Sequence, residues 1–181
     1  IDYEGDYNVY LNDPRNINLG KKLITDKKIL IEKERLKEIN ETEYHEILIN
    51  HTTPYSPFDI LENKSLLLEN NFDNLNAIDW DKGCYVGQEI TARMKYRGLL
   101  KKKLYALKIK SGDVLEGDEL IVDNKKIGTI VSKANSNIFA ALNINFVNEI
   151  KNKNKNLLIN DSLSFDFLNW KFFSIKTYWN Y

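Results

Sequence analysis

Residues 104–145 read "LYALKIKSGDVLEGDELIVDNKKIGTIVSKANSNIFAALNIN", and this stretch decides the fold. Its apolar residues recur with period two over Leu104–Ile109, Glu119–Val122, Lys126–Lys133 and Ile138–Asn145. Period two is the side-chain alternation of a strand. Between the segments lie "SGD", "EGD", "VDNKK" and "KANSN", each a turn signal. Farther on, "NKNKN" precedes two more strand candidates, Leu163–Phe167 and one near Phe172–Thr177. Several short strands at close spacing predict a small antiparallel barrel or sandwich.

Upstream of this stretch the periodicity changes, so the expected boundary falls near Gly98–Lys103. Residues 1–98 and 99–181 are then two units of an α+β chain. Tyr7–Leu11 reads as a strand that Pro14 ends by removing a backbone donor. "NETEYHEILINHTTP" reads as a helix with Asn40 as N-cap and Glu43 closing a capping box. Tyr44, Ile47 and Leu48 are assigned to its inner face. "TTPYSPFDILENKS" is a loop with two prolines. Asn occurs 23 times, so a single Asn is not taken as a turn signal.

Composition bounds the function loosely. The 181 residues are 43% apolar and 29% charged, with formal net charge zero. That balance is ordinary for a globular chain. The charge is unevenly placed: Ile1–Leu100 holds 13 Lys/Arg against 18 Asp/Glu, and Lys101–Tyr181 holds 13 against 8. A single cysteine excludes an internal disulfide and fits a reducing compartment. No apolar run approaches membrane-span length. The sequence starts at Ile1 without a basic-then-apolar leader, and the expected location is cytoplasmic.

That one cysteine sits in "DKGCYVGQEITARMKYRG", Asp81–Gly98, between Gly83 and Gly87. Gly87 is expected to open a helix, with Ile90 and Met94 facing inward and Glu89–Arg93 paired at i, i+4. Cys84 then precedes a helix N-terminus, where negative charge is favoured. With Lys82, Arg93 and Arg97 nearby, its thiol is expected to be acidic and reactive. The opposing reading is a buried, inert cysteine.

From Ile90 to Gly112 there are eight Lys/Arg and no acid, with Tyr96 and Tyr105 interleaved. This suits a nucleic-acid groove, or a linker and solvated strand face that blunts a sheet edge. His45 and His51 are six apart and share no helix face. Without H-x-x-x-H spacing or further thiols, a metal or iron–sulfur centre made by this chain alone is not expected. Neither a Gly-rich phosphate loop nor a Ser/His/Asp signature is present.

"KGCYVGQE", residues 82–89, resembles the signature of the YgfZ-type folate-binding proteins, relatives of the glycine-cleavage T-protein (aminomethyltransferase). The similarity continues through "ITARMKYRG" into "KKKLYAL". It extends to "LENNFDNLNAIDWDKG" and "VYLNDPRNINLG" upstream and "KKIGTIVSKANSNIFAALNINFV" downstream. The resemblance implies a T-protein-like folate-binding region followed by a small antiparallel β-barrel, and a chain that is a C-terminal fragment of such a protein. It implies tetrahydrofolate or a derivative as cofactor and Cys84 as the functional thiol. Lys82, Tyr85, Gln88, Glu89, Arg93, Arg97 and Tyr44 are the implied ligand-binding residues. Leu48-Ile49 and Thr52-Thr53 depart from the pattern, which has Arg-Ile and then a Gly before the proline.

Three functions remain open on the sequence. One is an accessory role in iron–sulfur cluster assembly or repair, supporting enzymes that include tRNA-modifying ones. Its partners would be folate and iron–sulfur assembly factors or client enzymes, without a membrane or direct nucleic-acid contact. The second is a folate-dependent aminomethyltransferase-like enzyme. The third is an RNA-binding module.

Overall fold

The computed structural model describes residues 9–24, 37–83, 86–152, 157–159 and 163–168. A two-stranded antiparallel ribbon comes first, β1 (Val9–Asn12) and β2 (Lys21–Ile24), joined through a 3-10 turn at Ile17–Leu19. The sequence reading found only the first strand. Asn16 caps the turn by accepting from the Asn18 N–H, and Gly20 closes it. This is a short hairpin connection made by Asx chemistry.

Helix α1 (Glu41–Asn50) forms where the capping box predicts it. The Asn40 side chain accepts from the Glu43 N–H at 2.8 Å, and Glu43 accepts from the Asn40 N–H at 3.0 Å. Its buried face is His45, Leu48 and Ile49, so the predicted face is one position out of phase. Ile47 is exposed and His45 is inside. The cause is the partner surface: a buried carboxylate on the following loop accepts the imidazole. Helix α2 (Gln88–Tyr96) starts at Gly87 as expected. Thr91 is its buried residue, whereas Ile90 is exposed and Met94 half-buried, which corrects the inward assignment.

The second half is an antiparallel sheet built from β3 (Lys102–Ser111), β4 (Glu119–Val122), β5 (Lys125–Ala134), β6 (Asn137–Asn143), β7 (Leu157–Leu158) and β8 (Ser164–Phe167). The strand order is β4-β5-β6-β3-β8-β7. The sheet curls but stays open among the described residues: a half-barrel stands where a small barrel was expected. The strand candidate near Phe172–Thr177 lies outside the described residues. A helix, α3 (Ile144–Asn152), replaces the end of the predicted fourth strand. Asn143 Oδ1 accepts from the N–H groups of Asn145 and Phe146, ending the strand and starting the helix.

The central strands are buried on both faces, which explains their nearly continuous apolar runs. Tyr105, Leu107, Ile138, Ala140 and Leu142 pack with Ile130, Val147 and Phe165 on one face. Leu104, Ala106, Ala134 and Phe139 meet Ile49 of α1 on the other. At Gly128 in β5, a Cβ would lie 2.5 Å from the Ala141 carbonyl oxygen of β6. Only glycine permits that approach.

Residues upstream of the expected boundary are stitched to the sheet. The Leu104 N–H donates to the Glu69 carbonyl at 2.7 Å. Asn71 Nδ2 donates to the Leu104 carbonyl at 2.8 Å, and Lys103 pairs with Asp73 at 3.3 Å. The sequence boundary near Gly98–Lys103 is therefore crossed by hydrogen bonds and by the Ile49 core contact.

Candidate functional site

The motif region is built around the start of α2. Gly87 adopts φ +87°, the left-handed conformation that L side chains seldom take, and makes no side-chain cap bond. Val86 just before it is fully exposed. The first-turn N–H groups of α2 therefore lack a capping side chain, unlike those of α1. Glu89 lies in the first turn and forms a short ion pair with Arg93 one turn later. Both side chains are mostly exposed, so the pair contributes only a few tenths of a kcal/mol.

The far end of α2 is pinned. The Lys95 ammonium sits 3.4 Å from the centroid of the Trp80 ring, and Tyr96 meets Trp80 edge-on at 6.3 Å. Burial against these rings lowers the Lys95 pKa, with Asp73 and Asp81 opposing. The result is a helix held at its C-terminal end with its N-terminal turn open. Lys82 and Gln88 border that open end and are both engaged in interactions. Arg97 is the C-cap residue and is exposed. Cys84 and Tyr85, the centre of the predicted site, lie outside the described residues.

Tyr44 belongs to a different constellation. Its hydroxyl lies 3.4 Å from the Arg15 guanidinium, and its ring meets Tyr55 edge-on at 5.9 Å. Arg15 is held by two bonds to Asp13, Nε–Oδ1 at 3.0 Å and Nη2–Oδ2 at 2.8 Å. These hydrogen bonds keep the nearly buried Asp13 carboxyl at a pKa of about 2. The Asp13-Pro14-Arg15 segment was part of the sequence resemblance, but no role was assigned to it. The sequence reading missed the pairing because the two residues flank a proline in what reads only as a loop.

A third group, also missed, lies under α1. His45 Nε2 is 3.0 Å from Asp59 Oδ1 and 3.2 Å from Oδ2. The Tyr55 N–H donates to Asp59 at 2.7 Å, and the Ser132 hydroxyl donates to it in a short bond. All three side chains are buried. Asp59 thus collects donors from α1, its own loop and β5, a clamp between layers. Of the signals in the sequence, His45 at helical spacing from Ile49 could have pointed to it.

The basic stretch is largely neutralised. Arg93 pairs with Glu89, Lys102 with Glu69, Lys103 with Asp73, Lys110 with Asp166, and Lys95 covers Trp80. Folate can also be tested against the site. The two best-formed clefts have volumes of about 170 and 180 Å³, below the roughly 300–1,000 Å³ of typical ligand pockets. Neither is lined by Lys82, Gln88, Glu89, Arg93, Arg97 or Tyr44. The described residues do not make an enclosed folate site. Among them there is also no cluster of three or more His, Cys, Asp or Glu placed to hold a metal, and no helix long and apolar enough to cross a membrane.

No family model matches the chain. Sequence similarity runs to iron–sulfur cluster assembly factors. The chain is 34% identical over 121 residues to the Iron-sulfur cluster assembly factor IBA57 homolog, mitochondrial, of Dictyostelium discoideum, covering 63% of this chain and 30% of that protein. It is 32% identical over 101 residues to Iron-sulfur cluster assembly factor IBA57, mitochondrial, of Mus musculus, covering 55% and 28%. The Homo sapiens protein of the same name is 30% identical over 102 residues, covering 55% and 28%. The matched stretches thus span under a third of these relatives. The relatives carry the IBA57 name, which sharpens the YgfZ-type resemblance. They also overturn the cytoplasmic expectation, since each is named mitochondrial. A lone cysteine reports only a reducing setting, and many compartments offer one.

Proposed function

We propose that this chain acts in iron–sulfur cluster assembly, with the Cys84 thiol as its functional group and the open end of α2 as the surface presented to partners. The observation that carries the reading is the similarity to the IBA57 assembly factors, at 30–34% identity over 101–121 residues in the three relatives above. The geometry supports it. The KGCYVG segment leads into a helix whose first turn has no side-chain cap and whose entry residue, Val86, is fully exposed. A helix N-terminus without a side-chain cap, whose one first-turn carboxylate, Glu89, is engaged with Arg93, favours a thiolate close by. The thiol would meet an assembly partner's thiol or the edge of a transferred cluster, and the client enzymes would include tRNA-modifying ones.

Folate enters the proposal as a ligand that this chain binds weakly by itself. Lys82 and Arg97 are exposed at opposite ends of α2, and a pterin needs a concave site to bury its ring. Calorimetric titration of tetrahydrofolate into the 181-residue chain is expected to give no saturable heat at micromolar concentrations. Tight binding would show that the pocket is complete here. The assembly role itself is tested by deleting the full-length gene and assaying several iron–sulfur enzymes. Their activities should fall together, and unchanged activities would remove the proposal.

A further inference from the structure

The segment that leads through the cysteine motif into α2 is tied to that helix at two points. Gly87 joins it to the first turn. Trp80 lies against the last turn, with the Lys95 ammonium 3.4 Å from the centroid of its ring and Tyr96 edge-on at 6.3 Å. We infer, on the reading of Cys84 as the functional thiol, that the Trp80–Lys95 contact positions this segment along α2 and so sets the reactivity of that thiol. Trp80 and Lys95 are then positioning residues for the proposed chemistry.

Chain length alone does not fix the segment. From Gly87 to Lys95 the helix rises about 12 Å. Trp80 precedes Gly87 by seven residues, and that much extended chain reaches about 23 Å. The connection is therefore nearly twice as long as it needs to be. From Ile78 to Asp81 no backbone group bonds to another element among the described residues. A local bond, from the Asp81 N–H to Asp79 Oδ1 at 3.0 Å, turns the backbone at Trp80 without tying it elsewhere. The Trp80 ring contacts hold the start of the segment.

The other side of the contact is anchored. Lys95 sits in the last turn of α2, where a cation suits the helix dipole. Asp73 and Asp81 face its ammonium and favour its charge. Asp73 also pairs with Lys103 of β3 at 3.3 Å, which links the contact to the sheet. A cation over an indole face is attracted by the ring quadrupole, and arginine keeps that attraction whereas methionine does not. At the opposite end, the first turn of α2 has no side-chain cap, and Lys82, Glu89 and Arg93 are the charged groups that border it. A thiol held toward such a turn gains thiolate character. A thiol released from it reacts as in an unfolded chain.

The test is the rate at which iodoacetamide alkylates Cys84 in the 181-residue chain, folded in buffer and unfolded in urea at the same pH. The parent should react faster folded than unfolded. Lys95→Met and Trp80→Leu should each slow the folded rate at least about threefold. Trp80→Leu leaves the Lys95 charge in place, so its loss separates position from charge. The double variant should be no slower than the slower single one, since both remove the same contact. Lys95→Arg should keep the parent rate. Lys95→Met should melt within about 2 °C of the parent, so that a slower rate reports position and not unfolding. A parent that reacts no faster folded than unfolded would remove the reactive-thiol reading and this inference together. A fast parent with unchanged rates in Lys95→Met and Trp80→Leu, or a Lys95→Arg form as slow as Lys95→Met, would overturn this inference alone.

Discussion

Helices α1 and α2 are nearly equal in length, 10 and 9 residues, yet they are built to opposite ends. α1 has both arms of a capping box, a face of three buried residues, and a histidine locked to a buried carboxylate that β5 also holds. α2 has a glycine N-cap without a side-chain bond, one buried residue, and an exposed ion pair. The first helix fixes position and the second offers access. A carboxylate takes part in both places, structural at Asp59 and available at Glu89, and burial is what separates them.

If that contrast is right, removing the Asp59 carboxylate should do the most damage. Asp59→Ala leaves His45, Ser132 and the Tyr55 N–H facing a cavity without an acceptor. The expected loss is about 3–5 kcal/mol in denaturant unfolding. A loss below about 1 kcal/mol would erase the distinction between the two regions.

Next comes Asp13, the charged group behind Arg15. Its folded pKa is about 2 against the ordinary 3.8. A depressed carboxyl stabilises the fold above its unfolded pKa, and that stabilisation is lost as pH falls through the folded value. It is therefore whole above about pH 4 and fades toward pH 2, amounting to about 2 kcal/mol. Asp13→Asn should lose about this much at pH 7 and converge with the parent chain near pH 2, as read from urea midpoints.

The end of α1 offers a gain. Thr52 sits at φ 53°, a left-handed position hostile to a β-branched residue, and its buried hydroxyl has no partner. Thr52→Gly should stabilise by about 0.5–1 kcal/mol, the relief of strain exceeding the lost methyl packing. Smallest of all is Glu89→Gln on α2, expected to move stability by less than about 0.5 kcal/mol. A larger change there would mean that α2 is braced through its ion pair and is less open than described.

How much of this could be read beforehand follows the same division. Local signals were legible. The Asn40–Glu43 box placed α1, Gly87 placed the start of α2, and period two located most of the sheet, with Glu119–Val122 at its observed bounds. Pairings distant in sequence were not legible. Nothing near Asp59 announces His45 fourteen residues earlier or Ser132 seventy-three later. The asparagines carry more structure than their frequency suggests. Discounting them as a composition bias hid the Asn143 cap that starts α3. It also hid the left-handed positions at Asn63, Asn71 and Asn76, whereas those at Asn124 and Asn135 fall in the turn signals VDNKK and KANSN. The faces of α1 and α2 were misjudged because periodicity gives spacing, whereas phase depends on what lies opposite. At the site, the motif was visible but its neighbours were not: Tyr44 meets Arg15 and Tyr55.

The central claim is that the accessible region carries the function through one thiol. Its most direct test is complementation of cells lacking the full-length protein, with the parent sequence and with Cys84→Ala, while iron–sulfur enzyme activities are followed. The two forms should accumulate equally and melt within about 1 °C of each other, so that any lost activity reports the thiol and not the fold. The account predicts that Cys84→Ala restores none of the lost activity. Full restoration by Cys84→Ala would contradict it.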